Sequence, residues 1–275
     1  MTETTSMGVS SEPEQPAADR RQRERAPFVE FEAVAKAFGS KEVLRGITLT
    51  VYRGEVVVIL GGSGSGKSVT LRHILGLEHP DEGRVIVDDD EITNLPEEDL
   101  YPMRMKFGML FQSGALFDSM TVFENVAFPL REHTDKNEDE IREIVREKLD
   151  LVRLEGIEHL MPVDLSGGMR KRVALARAIV LEPKAILYDE PTTGLDPVTA
   201  QAINELIVDL QMKLHVTSVV VTHDIHSAFF VADRIAFLHN GVFEWVGSTE
   251  EARRTTHATL REFLETSNVA AAQPI

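Results

Sequence analysis

The chain contains no cysteine, which excludes disulfides and thiolate metal sites and agrees with a reducing cytosol. It has no apolar run near the ~20 residues that a membrane-spanning helix requires, and no secretory hydrophobic region at its N-terminus. It is therefore expected to reach a membrane only through a partner. An excess of cations is missing too, because 45 acidic residues against 29 basic ones leave a formal charge of −16. Acidic clusters at Asp88, Asp89, Asp90, Glu91 and at Glu97, Glu98, Asp99 would repel phosphate backbones and anionic lipid surfaces, which argues against nucleic acid as a partner. Otherwise they read as a solvated face. Only 12 prolines occur, and no internal repeat is found, so the composition is neither fibrous nor disordered.

What is present is enough for a substantial core: 275 residues, 43% of them hydrophobic and 27% charged, hold one large α/β domain or two small ones. Residues 1 to about 26 have almost no large apolar side chains and read as a flexible tail. Short runs at Phe28 to Val34, Ile47 to Tyr52 and Val85 to Asp88, separated by Gly and charged turns, predict a small antiparallel sheet. Val56 to Leu60, Ala185 to Tyr188 and Ser218 to Thr222 are almost continuously apolar, as parallel strands covered on both faces are. Helical spacing runs through Ile141, Ile144, Val145, Leu149 and Val152, and again through Ile203, Leu206, Ile207, Leu210 and Leu214. Alternating strands and helices imply an α/β architecture. The main domain is expected over 27–247, with a helical subdomain at about 113–181 inserted between core strands. A C-terminal extension over 248–275 carries a helix candidate at Ala258 to Leu264.

Directly after Val56 to Leu60 stand Gly61, Gly62, Ser63, Gly64, Ser65, Gly66, Lys67 and Ser68, the pattern G-x-x-x-x-G-K-S, followed by a helical pattern through Leu71, Ile74 and Leu75. Glycines let successive N–H groups and a helix N-terminus face phosphate oxygens, Lys67 adds a charge for the β and γ phosphates, and Ser68 offers its hydroxyl to Mg²⁺. A second apolar strand ends in Asp189 and Glu190. In this context Asp189 is a Mg²⁺ residue and Glu190 the general base for an attacking water. His223, which follows a third strand, is a candidate for contacting the γ-phosphate and that water. Taken singly these features have plainer readings: a strand-to-helix turn, an Asp-Glu-Pro turn and a structural histidine.

Leu165, Ser166, Gly167, Gly168 and Met169 open another helix, and small residues at a helix start make a second anion site. Here the sequence resembles the ABC ATPase family. The order matches throughout 28–247: phosphate loop, Gln112, Leu165 to Met169, Asp189-Glu190, Gly194-Leu195-Asp196, His223. The resemblance implies an ABC-type P-loop ATPase with a RecA-like parallel core, a small antiparallel β subdomain and a helical signature subdomain. It further implies ATP and Mg²⁺ as cofactors and a head-to-tail homodimer in which Ser166, Gly167 and Gly168 grip the γ-phosphate of the partner's ATP. By the same resemblance Asp196 contacts the opposite phosphate loop, and Gln112 senses Mg²⁺ and couples to a partner protein. Phe38 stands where an aromatic stacks on adenine, the plainer alternative being a core strand residue, and Val69 completes the nucleotide set. Met169 replaces a frequent Gln.

The stretch from Phe111 through Phe117 to Glu132 resembles the ATP-binding subunits of Mla/Mce-type phospholipid transporters. That likeness implies a permease, an MCE-domain lipid-binding protein and, in many bacteria, a STAS-domain subunit, with the ATPase peripheral on the cytoplasmic side of the inner membrane. Leu116, Phe117, Val122 and Phe123 are candidates for a groove that receives a permease helix, or for packing within the helical subdomain. The alternatives are an ABC importer of a small solute and a soluble ABC machine. The second of these commonly has tandem cassettes or a long coiled-coil insertion, and neither is seen here.

Overall fold

The computed structural model describes residues 26–266. The predicted N-terminal tail, apart from Ala26, lies outside the described residues, as does the end of the C-terminal extension. Four strands, β1 (Pro27–Phe38), β2 (Lys41–Tyr52), β4 (Glu82–Val87) and β5 (Asp90–Glu91), form an antiparallel sheet in the order β2-β1-β4-β5. The strand expected at Phe28 to Val34 continues to Phe38. A register shift between Phe31 and Val34, with Ala33 at φ 49°, lets the pairing with β2 resume beyond it.

The second sheet has the order β10-β9-β3-β8-β7-β6. β3 (Val56–Leu60), β6 (Phe107–Leu110), β7 (Ala185–Asp189), β8 (Thr217–Thr222) and β9 (Arg234–His239) are parallel neighbours, and β10 (Val242–Ser248) closes one edge antiparallel to β9. Three of these six strands, β6, β9 and β10, were not among the expected core strands. The helical insertion accordingly follows β6 rather than β3.

The side chains of β3 alternate between two cores. Val57 and Ile59, with Leu187, Val219 and Val221, face the antiparallel sheet and α1 (Lys67–Ile74). Val56, Val58 and Leu60, with Ile186, Tyr188 and Val220, face the helices on the other side. This alternation is why the predicted strands read as unbroken apolar runs.

The other helices are α2 (Glu97–Arg104), α3 (Val122–His133), α4 (Glu138–Leu151), α5 (Gly167–Ile179), α6 (Pro197–Leu214), α7 (Ile225–Val231), α8 (Thr249–Arg253) and α9 (Ala258–Glu265). α3 and α4 begin at capping boxes on Thr121 and Asn137, and α4 buries Ile141, Val145 and Leu149. α9 places Leu260 and Leu264 in the helical-side core and the Phe263 ring 5.3 Å from Phe237. Of the predicted groove residues, Val122 is fully buried, whereas Phe117 is exposed beside Phe128, with ring centroids 5.1 Å apart. Val122 therefore packs the interior and is not on the surface. Among the described residues, no helix is long and apolar enough to cross a membrane.

Candidate nucleotide site

The loop between β3 and α1 turns back over the C-terminal edge of the parallel sheet, the edge at which open α/β sheets bind ligands. Gly66 has φ 109°, a conformation that side chains rarely adopt, and it caps α1 so that the helix begins at Lys67. The Lys67 ammonium donates to the carbonyls of Gly61 and Gly62, at 2.8 and 2.9 Å, and lies 3.6 Å from Glu190 Oε1. Burial pulls its pKa below the ordinary lysine value, with Glu190 and Asp189 opposing.

Asp189 ends β7, and Glu190 follows at φ 49°. That left-handed turn brings both carboxylates to one edge, where a continuing strand would have sent them to opposite faces. The Ser68 hydroxyl donates to Asp189 Oδ1 at 3.0 Å. Glu190 is buried and densely held. Its carboxylate lies 2.9–3.0 Å from His223 Nδ1, accepts from Thr193 Oγ1 at 3.0 Å and from Thr222 Oγ1 at 3.4 Å, and its N–H donates to the Val221 carbonyl at 3.0 Å. Thr193 and Thr222 were not read from the sequence, although Thr222 directly precedes His223.

These groups open on a cleft of about 650 Å³ lined by Phe38, Lys41, Val43, Ser63, Gly64, Gly66, Lys67, Ser68, Val69, Gln112, Glu190 and His223. Phe38 closes β1 with 43% of its surface exposed and is no core residue. Its ring and the glycine loop thus bound the same cleft, aromatic at one side and N–H-rich at the other. Gly61, Gly62 and Ser65 form the back of the loop; a Cβ at Gly61 would lie 2.4 Å from the Leu238 carbonyl.

The Ser68 hydroxyl, Asp189 carboxylate and Gln112 amide are all oxygen donors, the chemistry that suits Mg²⁺. Among the described residues, no three His, Asp or Glu side chains form a metal cage. A metal beside Ser68 would share its ligand shell with phosphate oxygens, as magnesium commonly does.

The remaining predicted residues are not part of this cleft. Ser166 is exposed and caps α5, accepting from the Met169 N–H at 3.3 Å. Asp196 caps α6, accepting from the N–H groups of Val198 and Thr199 at 3.1 Å and from Thr199 Oγ1 at 2.6 Å. The two caps are packed together: a Cβ on Gly168 would lie 2.4 Å from Thr199 Cγ2, and one on Gly167 would lie 3.2 Å from Leu195. The chain thus has, apart from the cleft, a second helix start whose cap, Ser166, is exposed.

Comparison with known proteins places this geometry. A family model described as ABC transporter matches residues 44–193, which include the glycine loop, Gln112, Ser166 to Gly168 and Asp189-Glu190. The probable ribonucleotide transport ATP-binding protein mkl of Mycobacterium tuberculosis is 46% identical over 236 residues, covering 86% of this chain but 66% of the relative. The chain therefore spans slightly less than two thirds of the length of that relative. The intermembrane phospholipid transport system ATP-binding protein MlaF of Escherichia coli is 42% identical over 240 residues, with 87% of this chain and 89% of the relative covered. Among solved structures, an ATP-binding cassette dimer in a post-hydrolysis state with ADP and Pi aligns with a TM-score of 0.74 and 36% identity, over 80% of this chain and 98% of that one. The CbiO1 subunit of the Clostridium perfringens CbiONQ transporter aligns with a TM-score of 0.78 and 30% identity, over 89% and 97%. The chain belongs to the ABC transporter family and has the fold of its ATP-binding cassettes.

Proposed function

We propose that two copies of this chain bind Mg-ATP at two composite sites and hydrolyse it to drive a permease that moves phospholipid between the membranes of a bacterial envelope. The observation that carries the catalytic part is the convergence on Glu190. A buried carboxylate held by His223, Thr193 and Thr222, beside Lys67 and across from Ser68 and Asp189, is placed to take a proton from a water attacking the γ-phosphate. His223 orients that water, while Lys67 and the N–H groups of Ser63 to Ser68 hold the phosphates as the bond to the leaving ADP oxygen breaks. Phe38 stacks on adenine. Ser68, Asp189 and Gln112 would hold Mg²⁺, whose contribution is to neutralise the phosphate charge.

Ser166, Gly167 and Gly168, outside the chain's own cleft, close on the γ-phosphate of the partner copy, and Asp196 meets the partner's phosphate loop. The permease docks where Gln112 leaves the cleft, near the exposed Phe117, and so holds the ATPase on the cytoplasmic side of the inner membrane. An MCE-domain protein and, where present, a STAS-domain subunit complete the assembly. Similarity to MlaF along most of its length supports phospholipid as the cargo. The printed name of the mycobacterial relative supports a second reading, a ribonucleotide.

The test is to express the full chain as Glu190→Gln in its own host, extract with detergent in the presence of ATP, and identify what co-purifies by mass spectrometry. Turnover is expected to fall about 10²- to 10⁴-fold with ATP binding retained. A permease with an MCE-domain protein and phospholipid is the expected company. A permease with a solute-binding protein or bound nucleotide would replace the lipid reading, and wild-type turnover would remove Glu190 from the mechanism.

A further inference from the structure

Lys171 lies on α5, three residues beyond Gly168 and outside the residues that line the nucleotide cleft, yet it is only 5% exposed. A buried ammonium requires acceptors. Its acceptors are two backbone carbonyls from different parts of the site: Gln112 O, in a short hydrogen bond, and Glu190 O at 3.3 Å. Burial lowers its pKa while the charges of Asp189 and Glu190 act to raise it. No other side chain with a described hydrogen bond joins the helix that starts at Ser166 both to the Gln112 loop and to the general base.

Glu190 needs such a restraint. A non-glycine residue at φ 49° is held in a sparsely populated conformation that persists where surrounding contacts over-determine it. The Glu190 N–H is fixed by the Val221 carbonyl and its carboxylate by His223 and Thr193. The carbonyl is fixed by Lys171. Rotation of that peptide would swing the carboxylate, and a displacement of about 1 Å at a reacting group is enough to cost orders of magnitude in rate.

We propose that Lys171 is a positioning residue for hydrolysis, whose ammonium ties the Glu190 and Gln112 carbonyls to the signature helix so that base, metal-side loop and helix α5 keep one geometry. The proposal rests on the hydrolytic role of Glu190 given above. Lys171 lines no part of the nucleotide cleft, so its removal is expected to act on kcat and not on ATP affinity.

The experiment uses the full-length chain as Lys171→Met, which keeps the length of the side chain but not its donors, and as Lys171→Gln, which keeps a donor. Glu190→Gln serves as the control. Steady-state ATPase assays, ATP binding and thermal unfolding are measured on each. Lys171→Met is expected to lower kcat about tenfold with KM within about twofold and no loss of ATP affinity, and Lys171→Gln to fall between it and the wild type. Should Lys171→Met not fold, Lys171→Ala takes its place with the same readings. Wild-type kcat in the donor-free variant overturns the proposal, as does a parallel loss of kcat and ATP affinity, or a Lys171→Gln no better than Lys171→Met. If Glu190→Gln itself turns over normally, the failure belongs to the hydrolytic reading and not to Lys171 alone.

Discussion

Asp189 illustrates how single residues in this site are placed against stability. Burial raises its pKa above the ordinary carboxylate value and the charge of Glu190 adds to the effect, while the Ser68 hydroxyl and Lys67 oppose it. A carboxyl whose folded pKa is raised contributes stability below its unfolded pKa and loses it as pH rises through the folded value. At neutral pH the ionised Asp189 is therefore a burden on the fold. Asp189→Asn, which can still accept from Ser68, is expected to raise Tm by about 2–4 °C at pH 7, with the gain vanishing below pH ~4, while ATPase activity is lost. Equal or lower Tm in a scan at pH 7 would contradict this. The residues proposed to hold phosphate are legible because their chemistry demands a spacing: glycines, then Lys67 and Ser68, after an apolar strand. Lys171 was not, because a lysine on an amphipathic helix looks the same in sequence whether it faces water or, as here, two carbonyls from distant segments.

At the scale of elements, the acidic runs turn out to be structural as well as solvated. Glu97, Glu98 and Asp99 occupy the first turn of α2, where negative charge complements the helix dipole. Asp88, with side-chain exposure of 9%, joins Arg53 after β2, Lys106 before β6 and Lys184 before β7, at 2.6, 2.8 and 2.7 Å. One carboxylate thus links the antiparallel sheet to the edge of the parallel one. Burial acts to raise the Asp88 pKa, but the hydrogen bonds from Lys106, Lys184 and Arg53 outweigh it and hold the carboxyl well below its usual range. A depressed pKa means stability present above the unfolded value and lost as pH falls through the folded one. Asp88→Asn is expected to lose about 1–2 kcal/mol in urea unfolding at pH 7, a figure kept low because its partners are partly solvated. The difference from wild type should shrink as the pH is lowered from 5 toward 2. A constant difference over that range would mean that the ion pairs are not its source. The unbroken apolar runs at Val56–Leu60, 185–188 and 219–221 are readable in the sequence; β6 has only four residues, Phe107–Leu110, broken by Gly108, and takes its place by pairing with β7, a long-range fact that no local pattern carries. β9 and β10 likewise reveal themselves only through the sheet order, in which β3 lies between β9 and β8.

At the scale of the whole molecule, the question is how the helix start at Ser166, which lies outside the cleft that Lys67 lines, would take part in the proposed hydrolysis. Lys67 lines the cleft and Ser166 does not; Ser166 instead stands exposed at the start of α5, packed beside the Asp196 cap. If each chain worked alone, variants at Lys67 and Ser166 would both be inactive, and mixing them would change nothing. In a head-to-tail pair the two lesions separate. A mixed dimer of Lys67→Ala with Ser166→Arg places both defects in one site, and leaves the other with an intact Lys67 from one chain and an intact Ser166 from its partner. Random pairing makes half of the dimers mixed, each with one of two sites whole. Recovery of about a quarter of wild-type ATPase activity is then expected if the sites act independently, from two preparations that are each inactive. The recovered activity should depend on the square of protein concentration where the dimer is scarce, because only the pair contains a site. Absence of any recovery, with both variants folded and the pairing verified by cross-linking, would place Ser166 and Lys67 in the service of the same chain and would require α5 to move toward its own cleft.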